Sequence, residues 1–164
     1  MKRKILTAAL AFLMLCGCAG KNVGDPNTDK NDKVEKAPYT LAVADELLNS
    51  GAFEGSEMQP VPMQVASVLY GIEAEDIVEC VIYIAANTSA SADELAVFVM
   101  SDEQAAIDAE AVFHTRVESQ LKVVGQYAPN AVPRLEGAFI SRRENTVVFA
   151  IGDPDVIASI KSIH

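Results

Sequence analysis

The residues able to do covalent or metal chemistry are few in this 164-residue chain: three cysteines, Cys16, Cys18 and Cys80, and two histidines, His114 and His164. Hydrolysis needs a nucleophile beside a positioned base, and the sequence holds no Gly-x-Ser-x-Gly elbow to present one. His114 falls one step off the apolar stripe of its helix, a place for a solvated or half-buried imidazole, and His164 is the last residue. No His-x-x-x-His or Cys-x-x-Cys pair has metal-ligand spacing. Asp25-x-Asn27-x-Asp29 copies the opening of a calcium loop, but Lys30 stands where the turn needs Gly and Lys36 where the bidentate Glu belongs. Glu73, Glu75, Asp76 and Glu79 are spread across a turn and a strand start and read as a solvated face. The expectation is a chain with no catalytic site, metal or cofactor. The absence of Trp also argues against a sugar platform of stacked rings.

Two of the cysteines have a different chemistry in view. Lys2, Arg3 and Lys4, the apolar run Ile5 to Leu15, and the small residues after it form the three regions of a signal peptide over residues 1–17. The run is shorter than the roughly 20 apolar residues that span a bilayer. Leu15-Cys16-Gly17-Cys18 resembles the lipobox of bacterial lipoproteins, in which cleavage leaves a cysteine that carries diacylglycerol. Cys16 departs from the usual small residue at its place; lipidation of Cys16 instead would put bulky Leu15 before the cut, so Cys18 is preferred. The alternative is an ordinary secretory signal with incidental cysteines. The resemblance implies a chain tied to the outer face of the cytoplasmic membrane through lipid on Cys18, anchored rather than spanning.

Three of the 13 basic residues and none of the 23 acidic ones precede Cys18, so the chain from Cys18 onward carries −13. That balance disfavours nucleic acid and anionic headgroups. Cys80 is left without an intrachain partner, and its neighbours Val78, Val81 and Ile82 suggest a buried, unreactive thiol. Residues 18–39 are almost free of apolar side chains and read as a flexible tether with a reach of about 25 Å.

Residues 40–164 suffice for one core. Thr40 is placed to cap a helix to about Ser50, with Leu41, Ala44, Leu47 and Leu48 on its stripe and Gly51 past its end. Residues 52–62, with Pro60 and Pro62, should be irregular or extended, and Met63 to Tyr70 a short helical turn stopped by Gly71. Ile77 to Ala86 and Leu95 to Met100 are β-rich runs joined by a polar loop, a hairpin. Ser101-x-x-Gln104 reads as a capping box opening a long helix that Gly125 and Pro129 bracket. Gly137 to Arg142 and Thr146 to Ile151 form a second hairpin, and Asp153 with Pro154 opens a last helix. The fold class is α+β: a two-layer, four-stranded, mostly antiparallel sheet with helices on one face, in the order α-ββα-ββα. Val81 and Tyr83 would point to the second face, so either the first helix covers it or a partner does, with internal cover preferred.

Tyr70-Gly71-Ile72 followed by acidic residues, Ala92-Asp93-Glu94-Leu95-Ala96-Val97-Phe98, Arg116-x-x-x-Gln120 and Tyr127-x-Pro129 carry a resemblance to the domain of unknown function 4358 family of small Gram-positive lipoproteins. It covers about residues 40–164 and implies an envelope location and a fold, but no activity. Glu94, Arg116, Gln120 and Tyr127 match in position. They read either as a polar cluster recognising a peptide or envelope ligand, or, as the preferred structural reading, as Arg116 and Gln120 tying the helix end to the Tyr127-Pro129 loop. The function expected is a binding or adaptor module of the envelope. A self-associating module that forms a homodimer is second, and a hydrolytic enzyme third.

Overall fold

The computed structural model describes residues 36–89 and 91–161. In chain order the elements are α1 (Ala42–Leu48), β1 (Met58–Pro60), α2 (Ala66–Tyr70), β2 (Ile77–Ala85), β3 (Glu94–Met100), α3 (Glu103–Tyr127), α4 (Val132–Glu136), β4 (Phe139–Arg143), β5 (Thr146–Ile151) and α5 (Pro154–Lys161). The five strands form one antiparallel sheet in the order β1-β2-β3-β5-β4. Both expected hairpins form, β2 with β3 and β4 with β5. The fold is α+β.

The expectation of four strands is corrected to five. Met58–Pro60 pairs with Tyr83, Ile84 and Ala85 at the sheet edge. Proline is tolerated there because the missing N–H would have faced away from the sheet. The order α-ββα-ββα also gains α2 before the first hairpin and α4 before the second.

Two layers become three. Leu95 and Val97 of β3 and Val148 and Ala150 of β5 face a cluster with Tyr39, Val43, Leu47, Phe53 and Ile157. Ala96, Phe98 and Met100, with Val147, Phe149 and Ile151, face Tyr70, Phe113 and Leu135 on the other side. A strand buried on both faces needs no polar alternation, which is why β3 reads as an unbroken apolar run. Val81 and Tyr83 pack against the cluster built on α1 and α5, so the second face is covered from within.

The packed chain starts one residue earlier than expected: Tyr39 is buried, its N–H donates to Thr146 Oγ1 at 2.8 Å, and the Arg143 guanidinium lies 4.1 Å from its ring centroid. Thr40 does not cap α1; Leu41 occupies that place with no side-chain bond. Gly71 ends α2 in the left-handed conformation at φ 71°, which glycine adopts without strain. Asp153 caps α5 as expected, its Oδ1 accepting from the N–H groups of Asp155 and Val156. No helix among the described residues is long and apolar enough to cross a membrane.

The cap of α3 is Asp102, not Ser101: Asp102 Oδ1 accepts from Ala105 N–H at 2.8 Å, while Ser101 Oγ donates to Asp76 at 3.3 Å. An aspartate also places its charge at the positive end of the helix. Asp102→Ala is therefore expected to cost about 1 kcal/mol in urea unfolding. Ser101→Ala should stay within about 0.5 kcal/mol of the parent; equal losses would return the cap to Ser101.

Candidate functional site

The first residue of β3, Glu94, has a side chain only 2% exposed, and α3 crosses above it. Arg116 and Gln120, one turn apart on α3, both reach that carboxylate. Arg116 donates through Nε at 3.0 Å and Nη2 at 2.9 Å, and Gln120 through Nε2 at 3.5 Å, all to the same oxygen, Oε2. Arg116 Nη1 reaches the Leu69 carbonyl at 3.5 Å. Tyr70, the last residue of α2, closes the group: the guanidinium lies 5.1 Å from its ring centroid, and the ring stands edge-on to Phe98 and Phe113 at 5.5 and 5.2 Å.

Three polar atoms at this point, the Tyr70 hydroxyl, Glu94 Oε1 and Gln120 Oε1, are buried without a partner in hydrogen-bonding geometry. Two cavities meet above them. One, of about 660 Å³, follows one side of α3 past Thr115, Ser119 and Val123. The other, of about 260 Å³, lies against the loop between β2 and β3. Arg116, Gln120, Val124 and Tyr127 line both, and Tyr127 is 59% exposed.

The four residues singled out in the sequence therefore come together. The bonding differs from the structural reading, because Arg116 and Gln120 tie α3 to β3 through Glu94 rather than to the loop after the helix.

The family model described as Domain of unknown function (DUF4358) matches residues 52–152. The chain belongs to this family. The matched segment includes Tyr70, Glu94, Arg116, Gln120 and Tyr127, so every residue of the cluster lies within the DUF4358 domain. No curated protein and no solved structure matches the chain.

Tyr70 was visible only as part of a motif, and its role had no sequence signal, since an α2 of five residues gives no periodicity to aim it. A second buried pair was missed altogether. Asp93, with no exposed side-chain surface, accepts from Arg134 Nη1 at 2.8 Å at both oxygens, and from Ser56 Oγ. Two adjacent acids opening an apolar strand were the available clue, because buried carboxylates need partners. They point opposite ways from the chain and draw their arginines from different helices, Asp93 from α4 and Glu94 from α3.

The remaining candidates stay outside the DUF4358 cluster. His114 is exposed on α3. Cys80 is half-buried against the core; burial, then the charge of Glu79, pushes its thiol up, which disfavours the reactive thiolate. Among the described residues no three His, Cys, Asp or Glu side chains group as metal ligands. Cys18, Cys16, His164 and the Asp25 to Asp29 segment lie outside the described residues.

Burial, then the neighbouring Glu94 carboxylate, raises the Tyr70 phenol far above its ordinary value of 10.0. A group raised in the folded state leaves stability unchanged below its unfolded pKa and erodes it above. The unfolded chain then releases a proton that the folded chain retains. Above pH 10 the loss due to Tyr70 is expected to approach about 1.4 kcal/mol per pH unit. Tyr70→Phe should remove that slope. The comparison is the difference in urea-unfolding free energy between parent and variant from pH 9 to 11.5, in which the smaller contribution of Cys80 cancels; parallel profiles would show Tyr70 to be accessible to solvent.

Proposed function

We propose that the protein is an extracytoplasmic lipoprotein, anchored through lipid on Cys18, whose domain binds an envelope ligand in the groove along the second half of α3. The observation that carries this reading is the buried Glu94 carboxylate, with polar atoms lacking partners beside it, beneath cavities large enough for a small ligand or peptide side chain. Most walls are apolar, Val112, Val123 and Val124 among them, and the polar groups are few and convergent, the composition of a recognition site.

Placement supports the same reading. The described chain enters the domain beside Thr146, which pairs with Val99, whereas Glu94 opens the same strand at its other end. Five residues of strand separate the two points by about 17 Å. A partner reaching the groove thus approaches the end away from the point where the chain enters.

The test uses the full-length protein in native membranes with a photo-crosslinking residue at Ser119 or, as control, at Asp45 on the outer side of α1. The reading expects an adduct from Ser119 that Tyr127→Ala abolishes, none from Asp45, and release of Cys18→Ala from the membrane fraction. Adducts from both positions, or from neither, would overturn the binding groove; retention of Cys18→Ala would overturn the anchor. Recovery of the protein crosslinked to itself at both positions would instead favour self-association.

A further inference from the structure

We infer that the groove accepts a protonated amine on an apolar stem, such as a lysine side chain or an alkylammonium group, rather than an anion. This rests on the binding reading above and names its ligand class. Arg116 would suggest a carboxylate or phosphate, but three of its five N–H donors are taken up within the cluster and its charge is matched by Glu94. Nε and Nη2 both point at Glu94 Oε2, and Nη1 reaches the Leu69 carbonyl. Among the buried atoms the cluster leaves two acceptors, Glu94 Oε1 and Gln120 Oε1, and one hydroxyl, that of Tyr70, without partners in hydrogen-bonding geometry.

The orientation of the Gln120 amide follows from its neighbour. Turning the amide over would set its oxygen against Glu94 Oε2, two acceptors facing each other, so the carboxylate holds Nε2 inward and leaves Oε1 for another donor. The Tyr70 phenol can supply one hydrogen at most, and its raised pKa keeps that hydrogen in place. At least one buried acceptor is left over. An ammonium carries three donors and no acceptor, whereas a carboxylate would meet two oxygens with none to give.

Charge points the same way. Glu94 cancels Arg116 at 2.9 Å, so the cluster presents a neutral pair, and the whole chain carries −10. The exposed Tyr127 ring, which borders both cavities, offers a face to a cation. Val123 and Val124 line the path for a stem of several methylenes.

The experiment titrates the isotope-labelled protein with n-butylammonium, n-butanol and n-butyrate, reading amide shifts along α3 at Thr115, Ser119, Val123 and Tyr127. Saturable shifts at these residues are expected for the ammonium at concentrations about ten-fold below those needed for butanol, with none for butyrate. Gln120→Leu, which removes one free acceptor from a half-buried position, should weaken the ammonium about ten-fold while its urea midpoint stays within that of a surface variant. Tyr127→Ala gives a second reading free of any effect on the buried pair. If butyrate shifts the same residues and the ammonium does not, the ligand class is wrong and the groove stands. If none of the three does, both the ligand class and the groove fall.

Discussion

Phe113→Ala is expected to be the most damaging single truncation in the domain, at about 4 kcal/mol, seen as a lower urea midpoint with an unchanged slope. Phe113 is fully buried at the centre of α3 and stacks on Phe149 of β5 at 4.7 Å, nearly parallel. It also meets Phe98 at 5.6 Å and the edge of Tyr70 at 5.2 Å. One ring thus joins a helix to two strands and to α2. Its removal leaves a hole that three other rings cannot close together, because each is held by a different element. The same ring positions Tyr70, which packs on the Arg116 guanidinium. Phe113→Leu should recover part of the stability but not that geometry, and so should weaken groove binding more than its stability loss implies. A loss below about 2 kcal/mol would mean that α3 repacks as a rigid body.

What the sequence could reveal follows from the range over which each signal acts. The periodicity of α3, the two hairpins, the Gly71 stop and the Asp153-Pro154 start depend on neighbours a few residues apart, and all stand in the structure. The fifth strand did not show because three residues carry no period, and Pro60, a breaker inside a sheet, is harmless at an edge. The capping box failed through a one-residue competition: Ser101 and Asp102 are both good caps, and Ser101 is drawn instead to Asp76. Helix placement on both sheet faces was half visible. The unbroken apolar run of β3 demanded two covers, but nothing local said that α5 would be one of them. Glu94, Arg116, Gln120 and Tyr127 were legible as members of a site only through the resemblance, whereas the partners of the Asp93 carboxylate lie 37 and 41 residues away in the chain. No spacing rule reaches that far.

The buried pair makes a prediction in which removing one partner costs more than removing both. Arg116→Ala should cost about 3 kcal/mol, because it leaves the Glu94 carboxylate with almost no solvent and no cation, facing only the distant Gln120 amide and the Tyr70 phenol. That figure sits at the low end for breaking a buried pair because the Arg116 side chain keeps 23% of its exposure and gives up less on pairing. Glu94→Leu should cost less, since the arginine left behind can turn its head toward the groove and water. Changing both together, Glu94→Leu with Arg116→Met, removes the desolvation cost along with the attraction, and should return stability to within about 1 kcal/mol of the parent. Urea unfolding of the four proteins gives the coupling directly. If the double variant recovers stability and loses the butylammonium shifts, stability is not what requires a charge at this place, and recognition becomes its reason. If the double variant stays as unstable as Arg116→Ala, the pair is a strut that an apolar core cannot replace. The groove above it would then owe its shape to folding alone.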